Sequence, residues 1–179
     1  MNRMKRIKAE LDDRNVNALE AGDRVFVTGV MFTARDAAHR RFSETLKKGH
    51  ELPVDLRGKI IYYTGRAPAR PGHPTGSAGP TTSGRMDVYT PALIESCGLK
   101  GMIGKGGRSD SVVESIKKYN CVYFAAVGGA GALIARSIKK IDVVCYEDLG
   151  PEAVHRIEVE DFPAIVAIDC EGRTLLADR

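Results

Sequence analysis

Short runs rich in β-branched and aromatic residues, separated by glycines and by stretches of helical periodicity, recur from about residue 22 onward and constrain the fold more than any other feature. Residues 24–28 (RVFVT) alternate apolar and polar and read as a strand turning at Gly29. Residues 59–64 (KIIYYT), 101–104 (GMIG), 121–127 (CVYFAAV) and 141–145 (IDVVC) read as further strands, and residues 155–159 and 164–168 as a closing pair before a Glu171-Gly172 turn. Between them lie helical patterns. T-A-R-D at residues 33–36 matches a capping box, with the Thr33 hydroxyl placed to satisfy an orphan N–H and Asp36 near the positive helix end. It opens a predicted helix over residues 34–48 with Ala34, Ala38, Phe42 and Leu46 as its buried stripe and Gly49 as its stop. Further helices are expected over residues 86–97, from Ser109 or Asp110 to Tyr119, and over residues 131–139. Strands alternate with helices in the middle and follow one another at the end, so the reading is α/β with a mixed sheet and flanking helices.

The chain has 179 residues, 43% of them hydrophobic and 28% charged, and reads as one domain over residues 1–179. A chain of this size buries roughly 70% of its unfolded surface and needs no metal or disulfide staple. Its cysteines, Cys97, Cys121, Cys145 and Cys170, form no C-x-x-C pair and read as small buried hydrophobes in a reducing compartment. The N-terminus carries charges every two or three residues and lacks a secretory h-region. The longest uncharged run, about 15 residues from Cys121, falls short of the roughly 20 needed to span a membrane. The expectation is therefore a cytoplasmic protein with no membrane contact. A net charge of +4, without a basic block or interleaved aromatics, argues against nucleic acid and leaves a small anionic ligand open.

Residues 65–84 are the oddest stretch. They hold Pro68, Pro71, Pro74 and Pro80 together with Gly65, Gly72, Gly76, Gly79 and Gly84. A loop this long within a domain is either disordered or functional. Two glycine clusters resemble nucleotide sites only superficially. Gly104-Lys105-Gly106 lacks the earlier glycine and the following Ser/Thr of a P-loop, and the cluster from Val127 to Gly131 lacks the third glycine of a dinucleotide fingerprint. What remains is a set of cations, Arg35, Arg85 and Lys105, each on a loop or helix start after a strand. Converging, they would neutralise a small dicarboxylate or a phosphate. Beside Arg85 stand the hydroxyls of Thr81, Thr82 and Ser83. Thr82 or Ser83 could cap the next helix, and a hydroxyl between guanidinium groups could join proton transfer.

T-A-R-D-A-A-H (residues 33–39), K-I-I-Y-Y-T-G (59–65), G-P-T-T-S-G-R-M-D (79–87) and G-K-G-G (104–107), in that order, resemble the β-type subunit or C-terminal domain of iron-sulfur hydro-lyases, class I fumarate hydratase and L-tartrate dehydratase. The resemblance covers the chain from about Leu19 onward. It implies a swivelling β/β/α fold and an oxygen-sensitive [4Fe-4S] cluster held by three cysteines of a partner α subunit, with the open iron acting as Lewis acid on the leaving hydroxyl. It implies Thr81 as the catalytic base and Arg35, Arg85 and Lys105 as substrate-binding residues, with no metal ligand in this chain. It also implies activity only with the α subunit, in a higher assembly of αβ units. His39 falls within the matched block and is read as a structural hydrogen bonder. The expected reaction is reversible hydration of fumarate to malate. Dehydration of tartrate is the near alternative, and a non-catalytic anion-binding or assembly module on the same fold is the alternative of another class. The loop 65–84, carrying Thr81 and delivering Arg85, is expected to be mobile in the isolated chain and ordered by partner or substrate.

Overall fold

The computed structural model describes residues 4–126 and 131–176. Its elements are β1 (Met4–Lys8), α1 (Asp13–Asn17), β2 (Arg24–Thr33), α2 (Asp36–Lys47), β3 (Ile60–Tyr62), α3 (Thr90–Cys97), β4 (Gly101–Gly104), α4 (Asp110–Tyr119), β5 (Val122–Ala125), α5 (Gly131–Ser137), β6 (Ile138–Cys145) and β7 (Val154–Ile168), with 3-10 turns at Ser83–Met86 and Glu147–Glu152. The strands form one mixed sheet in the order β1-β2-β3-β4-β5-β7-β6. β1 to β5 run parallel where they pair, and β7 runs antiparallel to β2, β5 and β6. Because β7 also pairs with β2, the strands β2, β3, β4, β5 and β7 close into a barrel-like ring. Flanking helices complete the mixed α/β architecture expected from the sequence.

Alternation along each strand divides the core in two. Ile60, Tyr62, Ile103, Val122 and Phe124 belong to one buried cluster together with Met31, Ile157 and Phe162. Their neighbours Ile61, Tyr63, Met102 and Tyr123 belong to a second, against Ala38 and Phe42 of α2, Leu93 and Ile94 of α3, and Val112 and Ile116 of α4. A period of two sends successive side chains to opposite faces, and both faces are covered, so these strands read as continuous apolar runs. Fully burying one such side chain stabilises the fold by about 1.5–3 kcal/mol.

Several local expectations are corrected. β2 does not end at Gly29. It bends there, with φ 132° at the glycine, and continues to Thr33. The closing pair of strands is one strand, β7, kinked at Asp161 (φ 51°), where the ladder to β2 shifts register and the Asp161 N–H donates to Thr28 Oγ1 at 3.0 Å. The break expected between residues 159 and 164 is a bulge that bends one strand rather than ending it. Thr33 caps no helix. It is the last residue of β2, its hydroxyl pairs with His155 Nδ1 at 3.2 Å, and Arg35 takes the N-cap position without a side-chain bond. The helix expected over 86–97 starts only at Thr90, because a longer one would place Pro91 in its interior, without an N–H for the carbonyl four residues back. Ser109 holds the N-cap position of α4, but its hydroxyl faces Ser111. Helix 131–139 stops at Ser137, and β6 begins directly after it. β1 and the short α1 were unread. Of the cysteines only Cys121 is buried; Cys97, Cys145 and Cys170 are half-buried. The end of the strand expected at Val127 and the glycines at 128 and 129 lie outside the described residues.

Candidate active site

Three loops meet beyond the carboxyl ends of the parallel strands, where open α/β sheets place their ligands. Arg35 follows β2, Lys105 follows β4, and Thr81 arrives on the long loop. Its placement depends on a main-chain arrangement that no local pattern announces. Beyond Tyr63 and Gly104 the chain of residues 80–83 is inserted between the continuations of β3 and β4. The Thr81 N–H donates to Tyr63 O at 2.7 Å, the Lys105 N–H to Thr81 O at 3.2 Å, and the Ser83 N–H to Lys105 O at 2.9 Å. Single bridges pair Thr64 with Pro80 and Thr82 with Lys105. The rest of the loop is anchored by Tyr62 Oη donating to Ala78 O at 2.5 Å and Thr64 Oγ1 to Gly79 O at 2.7 Å.

Arg35, Thr81 and Lys105 line a crevice of about 480 Å³ with Gly65, Gly79 and Gly131 on its walls. Gly65 packs against the Arg35 guanidinium: a Cβ there would stand 2.5 Å from Arg35 Nη1 and displace it. Gly104 has no room either, since its Cβ would collide with the Ser83 hydroxyl. Arg85 does not line this crevice. It lines an adjoining one of about 260 Å³, whose wall it shares with Arg35 and Asp36. The link between the two is the Asp36 carboxylate, with Oδ2 3.3 Å from Arg35 Nε and Oδ1 2.8 Å from Arg85 Nε. Glu152 Oε1 also lies 3.1 Å from Arg35 Nε. Burial works against the Asp36 charge, but its own backbone N–H and the two guanidinium groups prevail and hold its pKa below the ordinary carboxylate value.

A buried polar network supports the Thr81 segment from beneath. Arg108, with a fully buried side chain, donates to Asp87 Oδ1 at 2.7 Å and to Thr90 Oγ1 at 2.9 Å and lies over the rings of Tyr63 and Tyr123. Asp87 Oδ2 accepts the Ser109 N–H at 2.6 Å. The Tyr123 hydroxyl bonds Ser83 Oγ at 2.9 Å and Gly106 O at 2.8 Å, so Ser83 is a buried strut rather than a helix cap. Burial pushes the Tyr123 phenol up to about 12 and keeps it a donor. None of Asp36, Asp87, Arg108 or Tyr123 was given this part from the sequence. The available signal was that Asp87 ends one matched block and Arg108 directly follows another.

His39 makes the structural hydrogen bond expected of it. Its Nδ1–H donates to Arg35 O at 2.9 Å, its ring stands edge-on to Tyr63 at 5.3 Å, and Nε2 has no hydrogen-bond partner. Burial, reinforced by the charge of Arg108 and opposed by the Arg35 carbonyl, lowers its pKa to about 4, so the ring is neutral. His155 supports the same corner. Arg66 Nη2 can only donate, so His155 Nε2 accepts at 2.9 Å and its Nδ1–H is left to donate to Thr33, two residues before Arg35.

The profile of the family described as Fumarase C-terminus matches residues 2–178. The chain belongs to this family. It is 41% identical over 170 residues to "Fumarate hydratase class I, anaerobic" of Escherichia coli (strain K12), covering 94% of this chain and 30% of that protein. To "Fumarate hydratase 1, mitochondrial" of Leishmania major it is 42% identical over 150 residues, 83% of this chain and 27% of the other. To "Putative L(+)-tartrate dehydratase subunit beta" of Methanocaldococcus jannaschii it is 39% identical over 171 residues, 93% of this chain and 88% of the other. The chain thus spans about a third of the fumarate hydratases it matches and most of the length of the tartrate dehydratase subunit. Among the described residues of this fumarase-family chain no group of three or more His, Cys, Asp or Glu side chains is placed to hold a metal ion, and burial pushes the Cys121 thiol up to about 12 and Cys145 up to about 11. These residues do not fit a [4Fe-4S] cluster. No described helix is long and apolar enough to cross a membrane.

Proposed function

We propose that this chain is the β-type half of a class I fumarate hydratase, hydrating fumarate reversibly to malate in a crevice completed by an α-type partner. The observation that carries the reading is the meeting of Arg35, Thr81 and Lys105 in one crevice with Arg85 tied to Arg35 through a shared carboxylate. Two guanidinium forks and an ammonium match the two carboxylates of a small dicarboxylate. The iron-sulfur cluster expected of the family would be held by the α-type partner.

In this reading Arg35 and Arg85 orient the carboxylates. Lys105 stabilises the negative charge that spreads into one of them as a proton leaves the adjacent carbon. Thr81 Oγ1 takes that proton in dehydration and returns it in hydration. An alcohol is a poor base unless nearby cations favour its alkoxide, and Arg35 and Lys105 on the same crevice supply that field. The partner closes the open side against bulk solvent, and the hydroxyl leaves toward that side as water in dehydration, or water enters from it in hydration.

The test is to purify the chain with its α partner and assay fumarate, malate and tartrate, with each chain alone as control. Turnover of fumarate only by the complex is expected, and activity of this chain alone overturns the reading. Thr81→Ala in the complex should abolish turnover while leaving dicarboxylate affinity largely intact; retained turnover removes Thr81 from proton transfer. Tartrate dehydration is the second reading, favoured by the near full-length match to a protein described as a tartrate dehydratase β subunit. A higher kcat/KM for tartrate than for malate would select it.

A further inference from the structure

We infer that Asp36 is a positioning residue for substrate binding: its single carboxylate fixes the guanidinium planes of Arg35 and Arg85 relative to one another. The inference rests on the proposed dicarboxylate reading and adds a residue to which the sequence assigned only a helix-end role.

The geometry is specific. Each oxygen of Asp36 meets the Nε of a different arginine, 3.3 Å to Arg35 and 2.8 Å to Arg85. A guanidinium carries five N–H donors, one on Nε and four on the terminal nitrogens. Asp36 Oδ2 accepts the Arg35 Nε–H and Oδ1 draws Arg85 Nε as an ion pair, so the terminal forks stay available to a ligand. The two arginines come from distant parts of the chain, Arg35 from the end of β2 and Arg85 from the 3-10 turn after the inserted segment. Asp36 is where these two pieces meet.

The bridge also addresses a charge problem. Arg35, Arg85 and Lys105 bring three positive charges to neighbouring crevices, and without a counter-charge each long side chain would swing toward water. Arg85 is half-exposed, with 52% of its side chain accessible, so packing alone does not hold it. Arg35 keeps a second carboxylate, Glu152, whereas Asp36 is the one acid found against Arg85 among the described residues. Loss of Asp36 should therefore release Arg85 more than Arg35.

A purely structural role is the alternative, because Asp36 is also the first residue of α2, where a negative charge favours the helix dipole. Asp36→Asn and Asp36→Ser both remove that charge, so the roles are separated by coupling to Arg85→Lys, which a helix-dipole effect would not show. An asparagine can still accept the Arg35 Nε–H but loses the charge that draws Arg85, so only Arg35 stays held. Asp36→Ser is too short to hold either arginine.

The experiment is steady-state kinetics of the complex with its α partner, for wild type, Asp36→Asn, Asp36→Ser, Arg85→Lys and the double variant Asp36→Asn/Arg85→Lys. The expected result is a rise in KM of about tenfold or more, exceeding any fall in kcat, as for loss of binding shared by ground and transition states. The double variant should be little worse than the poorer single one, since both changes disable the same fork. KM does not depend on the fraction of chain that folds, so it reports even from a partly folded preparation. An unchanged KM in Asp36→Ser, or effects of Asp36→Asn and Arg85→Lys that multiply independently, overturns the inference. If the wild-type complex turns over neither fumarate nor tartrate, the functional reading fails and calorimetry with succinate decides the inference alone. Wild-type binding lost in Asp36→Asn supports it. Equal binding by both, or none by wild type, overturns it.

Discussion

Gly65→Ala separates binding geometry from folding. The three nearest atoms to a Cβ at residue 65 all belong to the Arg35 side chain, with Nη1 at 2.5 Å. Ordinary contact begins near 3.4 Å, so the guanidinium must retreat by about 0.9 Å. Its Nε–H is held by Asp36 with the Glu152 carboxylate alongside, which turns the retreat into a tilt of the fork. Gly65 does not have a positive φ, so alanine is conformationally acceptable there, and the loss of unfolded-state freedom should stabilise the chain by about 0.4–1 kcal/mol. A misplacement of about 1 Å at a reacting centre costs about 100-fold in rate, or about 2.7 kcal/mol. The variant should therefore melt at or slightly above wild type in urea while kcat/KM for fumarate in the αβ complex falls about a hundredfold. Repeating the change in an Arg35→Ala background removes the atom it displaces, and there Gly65→Ala should cost nothing further. Near wild-type activity of the single variant, or an equal loss with and without Arg35, would refute the reasoning.

Acid stability should depend on His39. Its folded pKa of about 4 lies below the ordinary imidazole value of 6.5, so the unfolded chain binds the proton first, and the neutral ring's stability is complete above 6.5 and lost as pH falls toward 4. At about 1.4 kcal/mol per pH unit the loss is about 2 kcal/mol by pH 5; urea midpoints of wild type and His39→Phe at pH 7.5 and 5 should diverge by that amount, and parallel shifts would exclude His39 as the source. Arg108→Met leaves Asp87 buried without its cation and should destabilise by about 3–5 kcal/mol, partly recovered by adding Asp87→Asn, both measured by denaturant unfolding. Protease cleavage within residues 68–77 should slow when the α partner is added, and an unchanged rate would count against ordering of the loop by the partner.

Much of the architecture was legible because the barrel strands are buried on both faces and flanked by glycine. Residues 60–62, 101–104 and 122–125 could hardly be anything else. What misled was turn chemistry inside long strands. Gly29 and the residues around Asp161 carry the marks of chain reversal, yet they sit across from one another on β2 and β7 and bend both strands together, a pairing of residues more than a hundred positions apart. The capping box at Thr33 failed for a similar reason, since the hydroxyl found a better partner in His155 of a distant strand. Arg35, Thr81 and Lys105 could be chosen from the sequence, but not their meeting, which depends on residues 80–83 entering between β3 and β4. Nor could Asp36 or Arg108 be told from ordinary surface charge, because their partners Arg85 and Asp87 come close only after folding.

The insertion of residues 80–83 divides the long loop into two parts with different freedom to change. From Pro80 onward the chain is a rung of the sheet, and moving it means breaking main-chain bonds to Tyr63 and Lys105 on both sides. Residues 68–74 are tied by far fewer bonds, chiefly a local turn in which the His73 N–H meets Arg70 O. Lengthening or shortening that outer arc would alter what hangs over the crevice without shifting Thr81, so differences in loop length among relatives should track their partners and substrates while the Thr81 segment stays in register.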